Sequence, residues 1–525
     1  MTLVWLILIP IIGGLLSWRS ERMTLGAPRW VALVSLLIAL ALSLWTWATK
    51  DFSFTGAGFV SAAGAPTWTL EFRAAWIPAL GASFHLGLDG LSMLLIVLTN
   101  LLGVMAVLAS WRDIDRNPGF FHLNLLWNLG GVIGVFLALD LLLFFFLWEV
   151  MLVPMYMLIA LWGSDAPNGT PNGKTRTYAA TKFFIYTQAS GLLMLVSILA
   201  LAYVHYDATG IVSFDYHDLL GTPMSASVEW LLMLGFFLAF AVKMPIVPLH
   251  GWLSDAHTNA PVGGSVDLAG LLLKTAAYGL LRFGVPLFPH ASLDIAPIAM
   301  WLGVIGVAYG AVVAFSQTDI KRLVAYTGIS HMGFVVIGIY AGTEAALIGV
   351  VVQMIAHGLS AGALFILCGE IQERLRTRDL REMGGLWTRL PYLPPFLLFF
   401  ALASLGLPGL GNFVGEFLIL TGTFVVAPWV AVAASSGLVL AVVYALIMVQ
   451  RALQGPVHGA VADAALNFTD LNGREFAMMF VLITLLVGLG LYPQPVIDAA
   501  QASVHAFDAI YSLQAAASSA SGDAP

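Results

Sequence analysis

A chain of 525 residues that is 60% hydrophobic and 10% charged is not a soluble globular protein, because such domains carry about 25% charged residues. Its formal net charge of −7 carries little information, since the charges fall in short segments on two faces. The single cysteine, Cys368, excludes disulfides and any four-thiolate iron–sulfur cluster held by this chain alone.

Apolar runs near or above about 18 residues, the length that spans a bilayer core as helix, recur along the sequence. They fall near 2–17, 30–47, 87–109, 117–138, 141–163, 178–204, 228–258, 263–284, 294–316, 322–341, 344–369, 394–425, 428–450 and 475–495. This predicts an all-α polytopic membrane protein of about 14 transmembrane helices. The first run has no basic residue before it, and Arg19 and Arg22 follow it directly. A signal peptide carries its charge first, so the expectation is a retained helix whose N-terminus lies outside.

The basic residues then alternate between two sides. Arg19, Arg22, Arg29, Arg112, Arg116, Lys174, Arg176, Lys182, Lys321, Arg322, Arg374, Arg376, Arg378, Arg381, Arg389, Arg451 and Arg474 share one, while Lys50, Arg73 and Arg282 fall on the other. The positive-inside rule makes the first side cytoplasmic and places both termini on the periplasmic side of a bacterial inner membrane. Polar insertions at 48–86, 164–177 and 205–227 are too short for a separate core. "NGTPNGKT", 168–175, ends like a phosphate-binding loop, but Asn168 stands where the first glycine belongs and no strand precedes it. It reads as a polar loop, and the ending "AAASSASGDAP" reads as a solvated tail.

Six ionisable residues lie in mid-span: Glu149, Lys243, Lys274, His331, His357 and Glu416. Glu149 is some ten residues into its run, about 15 Å deep at 1.5 Å per residue, which is the midplane of a core about 30 Å thick. A charge there costs at least about 2.5–3.5 kcal/mol, so the six must face one another or water. Glu149 and Lys243 have opposite sign and are expected to pair. Lys274, His331 and His357 continue the line, with Glu416 at its far end. Snorkelling explains a lysine near a helix end but poorly explains one at mid-span. A lone membrane histidine often only bonds a neighbouring helix, and His250 and His257, seven apart, have no further ligands to make a metal site.

Two runs are interrupted near their middle, in "FAVKMPIVPLHGWL" at 240–253 and "LASLGLPGLGNFVGEFL" at 402–418. Paired interruptions in two halves point to a transporter built from inverted repeats. A broken helix exposes backbone groups that must face protein or water, and the break beside Lys243 thereby supplies room for a movable charge.

"KMPIVPLHGWLSDAHTNAPVGGSVDLAGLLLKTAAYGLLRF", "TDIKRLVAYTGISHMG", "LREMGGL" and "GLPGLGNFVGEFLIL" resemble the antiporter-like proton-channel subunits of respiratory complex I. The relatives include large subunits of Mrp-type sodium/proton antiporters and of membrane-bound hydrogenases. The resemblance runs from about residue 85 to 495. It implies two inverted five-helix repeats, 117–284 and 294–450, after N-terminal helices 1–116 and before a C-terminal helix and tail, 451–525. By motif, Glu149 matches the family glutamate, Lys243 its partner on the first broken helix, and Lys274 the central lysine. His331 and His357 match relay residues, and Glu416 the exit-side acid. Chains L and N and most antiporter relatives carry a lysine where Glu416 stands. The departures are the longer loop at 164–177 and the Ala/Ser tail.

The resemblance implies proton translocation from cytoplasm to periplasm, coupled to quinone reduction elsewhere in an NADH:quinone oxidoreductase. No cofactor is expected in this chain; NADH, FMN, iron–sulfur clusters and quinone are expected in partner subunits. The implied partners are other membrane-arm subunits, especially the antiporter-like chains L and N, and membrane lipids, with no nucleic acid. Two other readings compete. An Mrp-type sodium/proton exchanger would show sodium-dependent transport, and a quinone-binding redox module would retain bound quinone.

Overall fold

The computed structural model describes residues 1–52, 67–165, 174–463, 466, 469–505 and 507. Most of the 168–175 loop and the C-terminal tail lie outside the described residues. Among these, 13 helices are long and apolar enough to cross a membrane. The remaining apolar run, 394–425, is divided into Leu393–Ser404 and Gly411–Val426. Every run read from hydropathy therefore has its helix, and the chain is an all-α integral membrane protein.

Burial sorts the helices into layers. The apolar windows of Val262–Leu287 and Ile320–Ala341 are 100% buried and that of Glu344–Leu375 94%, whereas Gly473–Leu491 is 33% buried. The first three form the centre; a helix apolar all round and wrapped by others has no lipid face. Local sequence fixes where helices start. The Asp140 carboxylate accepts from the Leu142 and Leu143 N–H groups at 3.0 Å and caps Leu141–Val150. Asp319 caps Ile320–Ala341 in the same way, and Asn472 with Glu475 forms a capping box on Gly473–Leu491.

Both interruptions are present. Ala226–Lys243 ends at the lysine itself, and helix resumes only at Leu253–Asn259. Pro245 and Pro248 bring no N–H to the gap. The Trp252 indole donates to the Val242 carbonyl at 2.8 Å, satisfying one of the backbone groups the break would orphan. In the second gap, Gly406 (φ 78°) and Gly409 (φ 93°) take backbone conformations that side chains disfavour. Between the two gaps in sequence, Val262–Leu287 contains two five-residue π turns, Leu268–Leu272 and Leu280–Gly284. They flank Leu273–Gly279, the segment that carries Lys274.

The 48–86 insertion, expected only to be polar, holds an antiparallel hairpin: β1 (Leu70–Ile77) and β2 (Ala82–Leu88), with Arg73 opposite His85. Fully buried His85 fastens it. Its Nδ1 is 2.7 Å from Asp215 Oδ2 and its Nε2 is 2.7 Å from Glu71 Oε1. Burial alone would lower the pKa of this imidazole, but hydrogen bonds to Asp215 and Glu71 and their charges outweigh it and hold the pKa above the ordinary 6.5. Arg73 adds an ion pair to Asp215 at 3.0 Å. Arg282, counted on the outer side from the sequence, is fully buried against Asp89, which also accepts from the Ser503 hydroxyl at 2.9 Å and so ties down the C-terminal segment.

Candidate functional site

The six mid-span residues fall into two groups. Glu149 lies near the end of Leu141–Val150, and helix resumes at Leu152 with Pro154 in its first turn. Its carboxylate is admitted by a glycine: a Cβ at Gly191 would stand 2.2 Å from Oε1. That oxygen has no hydrogen-bond partner among the described residues, while Gln188 lies beside the carboxylate. Lys243 is 2% exposed, and its Nζ sits 3.9 Å from the centroid of the Trp148 ring.

Glu149 and Lys243 interact electrostatically, but no N–O distance between them falls within 4.0 Å. The expected ion pair is thus open, and an indole face fills the place of the direct contact. A desolvated cation–π contact is worth about 2 kcal/mol, comparable with the lenient cost of about 2.5–3.5 kcal/mol for a charge at the bilayer centre. The indole can therefore hold the ammonium without the carboxylate. Lys243 also feels Asp267, whose carboxylate accepts from Asn128 and keeps Oδ1 unpartnered. Asp267 precedes Lys274 by seven residues on the central helix, about two turns, so it stands between the groups.

The second group is in continuous contact. Lys274 is fully buried; its ammonium donates to the Ala269 carbonyl and lies 2.7 Å from His357 Nδ1. The His357 and His331 ring centroids are 5.2 Å apart. His331 Nδ1 is 2.8 Å from Glu416 Oε1, and Gln353 donates to the same oxygen at 3.0 Å. On its other edge, His331 Nε2 is 3.1 Å from the Ser404 hydroxyl and 3.4 Å from that of Tyr444. A lysine donating to imidazole, a second imidazole and a carboxylate make a row of groups with exchangeable protons running from the central helix to the second broken helix.

Sequence reasoning missed Trp148, Asp267, Gln353, Ser404 and Tyr444. Asp267 carried a signal, being an acid in an otherwise apolar span; an indole, an amide and hydroxyls carry none. Among the described residues, no group of three or more His, Cys, Asp or Glu is placed to hold a metal ion.

A helical membrane bundle with two broken helices and a central row of acids, lysines and histidines defines an antiporter-like membrane subunit. Residues 138–441 match the family model described as NADH:quinone oxidoreductase/Mrp antiporter, TM. NADH-quinone oxidoreductase subunit M of Pseudomonas aeruginosa is 63% identical over 96% of this chain and 97% of its own length. Subunit M of Escherichia coli is 61% identical over 96% and 97%. A chain of the respiratory complex I of Thermus thermophilus with bound NADH has a TM-score of 0.83 at 30% identity, covering 97% of this chain and 99% of that one. A chain of the Mrp complex of Dietzia has a TM-score of 0.76 at 25% identity, covering 96% of this chain and 52% of that one. The chain belongs to the NADH:quinone oxidoreductase/Mrp antiporter family of membrane subunits.

Proposed function

We propose that Glu149, Lys243, Lys274, His357, His331 and Glu416 form, in that order, the path along which this chain moves protons. The chain is a proton-translocating membrane-arm subunit of NADH:quinone oxidoreductase, a translocase whose redox chemistry is done elsewhere. NADH, FMN, iron–sulfur clusters and quinone belong to partner subunits. Its partners are other subunits of that complex, with antiporter-like chains L and N as neighbours and lipid around the outer helices. Both termini face the periplasm, and protons run toward it from the cytoplasm. Segments 117–284 and 294–450 act as two inverted repeats, each contributing one broken helix.

The observation that carries this reading is the row in which Lys274 is hydrogen-bonded to His357 and Glu416 to His331, with the two imidazole rings packed against each other between them and His357 Nε2 left without a partner among the described residues. The open Glu149–Lys243 pair gives the path its control. Charge moving in a neighbouring subunit draws Lys243 toward Glu149 or leaves it on Trp148. That displacement changes the field at Lys274, which then takes up or gives away its proton. The proton passes to His357, then to His331 and Glu416, from which it leaves. An Mrp-type sodium exchanger is the second reading, and Glu416 in place of a lysine speaks against it.

The test is NADH:quinone oxidoreductase activity and pumping in membranes carrying Glu149→Gln, with assembly checked on a native gel. Electron transfer and pumping are expected to fall together in an assembled complex. Unchanged NADH oxidation and pumping would remove Glu149 from the path, and sodium-dependent exchange would favour the second reading.

A further inference from the structure

On the face that carries Arg112, Arg116 and Arg376, a cavity of about 490 Å³ opens between the turn after Gly90–Ala109 and the ends of Ile320–Ala341 and Glu344–Leu375. Asp113 and Glu373 line it, from elements far apart in sequence. Their carboxyl groups share a hydrogen bond, which two carboxylates can do only with a proton between them. Asp113 is exposed on the lining of the cavity. Partial desolvation and the charge of Glu373 push its pKa up to about 6, against the opposing charges of Lys321 and Arg474. Asp115, Arg112 and Arg376 are the other charged groups of the lining.

The cavity has a second feature that solvated surface charges do not explain. Lys321 lines it while only 2% exposed and, among the described residues, has a single hydrogen bond, at 3.4 Å to the Ala260 carbonyl, and no carboxylate within 4.0 Å. A lysine on a cavity wall has no need to be buried without an ion-pair partner. Behind it, His257 is 1% exposed, keeps Nδ1 unpartnered, and feels the charges of both Lys321 and Lys274. His257 thus stands within electrostatic reach of both the cavity-lining Lys321 and the central Lys274.

We infer that Asp113 and Glu373 are a proton-collecting pair: they bind one proton between them from the cytoplasmic water and release it past Lys321 toward Lys274. This rests on the reading that the file carries protons from that side. Free protons are scarce near neutral pH, and acidic groups in a low-dielectric cleft raise the local concentration and arrival rate of cations. A proton held between two oxygens and released to one inward acceptor leaves the pair ready to reload; no bond other than O–H is made or broken.

The experiment uses the assembled complex in inside-out vesicles, with this face toward the medium. NADH-driven proton uptake is measured from acid to alkaline pH, in dilute and in concentrated mobile buffer, for Asp113→Asn, Glu373→Gln and the double variant. Rates are normalised to assembled complex on a native gel, and the singles serve if the double fails to assemble. Collection by the pair requires a several-fold loss in dilute buffer that grows with pH and is abolished by concentrated buffer, because the buffer then delivers the protons. Wild-type rates at every pH and buffer strength would overturn the proposal, as would a loss that buffer does not relieve. Lys274→Met runs alongside. Its pumping should be lost whatever the buffer, and normal pumping there would refute the proton file itself, independently of the pair.

Discussion

The two halves of the proposed proton file differ in how tightly they are made. From Lys274 to Glu416, each group touches the next, at 2.7 Å and 2.8 Å at the two ends and by ring contact in the middle. From Glu149 to Lys243 the contact is open, and the ammonium rests on an indole instead. A row of groups in contact offers little to adjust, whereas an open pair of opposite charges in a low dielectric responds strongly to small movements. On the proposed reading, conduction falls to the second half and control to the first.

The largest expected effect tests the closed half. Glu416→Gln keeps an oxygen for Gln353 and His331 but removes the carboxylate that His331 contacts. Proton pumping per NADH in sealed vesicles should fall about 100-fold, the scale of a positioned acid–base group. Pumping within twofold of wild type would mean that the chain ends at His331 or leaves by Ser404 and Tyr444.

Next comes the open half. Trp148→Leu removes a contact worth about 2 kcal/mol to the Lys243 ammonium without touching either charge. With the ring gone, Lys243 should either close on Glu149 or lose its proton, and both stop the adjustment. Coupled quinone reduction is expected to drop about tenfold while the complex still assembles. If Trp148→Leu behaves as wild type, the ring is only packing and the control must lie at Asp267.

The smallest effect lies outside the file. His85→Gln should lower the thermal stability of the complex by about 1–2 kcal/mol and leave pumping intact at moderate temperature. Because the folded imidazole has its pKa above 6.5, its contribution is complete below that value and fades as pH rises through the folded pKa. Thermal unfolding followed toward alkaline pH should therefore show a decline in the wild type that the variant lacks. An equal decline in both would assign the pH dependence to other groups.

Much of this was legible in the sequence because the bilayer is an exacting solvent. Hydrophobic length gave every crossing, and the cost of a buried charge singled out the six buried or half-buried groups proposed here as the file. Charge placed Lys274 and Glu416 at opposite ends, but the two histidines stand in the reverse of their chain order, His357 beside Lys274 and His331 beside Glu416. What stayed hidden depends on geometry that residue type does not encode. Nothing in the letters puts the Trp148 face, rather than the Glu149 carboxylate, against Lys243. Gln353, Ser404 and Tyr444 are ordinary residues until two helices bring them to one histidine. The hairpin was missed because Leu70–Ile77 breaks its alternation with two alanines, and because its partner strand runs straight into an apolar helix. The burial of Arg282 at the end of its apolar run could not be foreseen because its partner, Asp89, stands 193 residues away in the chain.

The two π turns around Lys274 bear on how that residue could change partners. Each is a helical turn holding an extra residue, and π turns concentrate at working sites in helices. Slack of this kind can pass along a helix as a crease passes along a carpet, leaving both ends where they were. If the extra residue of Leu268–Leu272 moved past Lys274, the side chain would swing by about 100° around the axis, one residue's share of a turn. The central helix thus has a pivot built into its own hydrogen bonds: it could aim the ammonium at His357 or away from it while its neighbours stay packed.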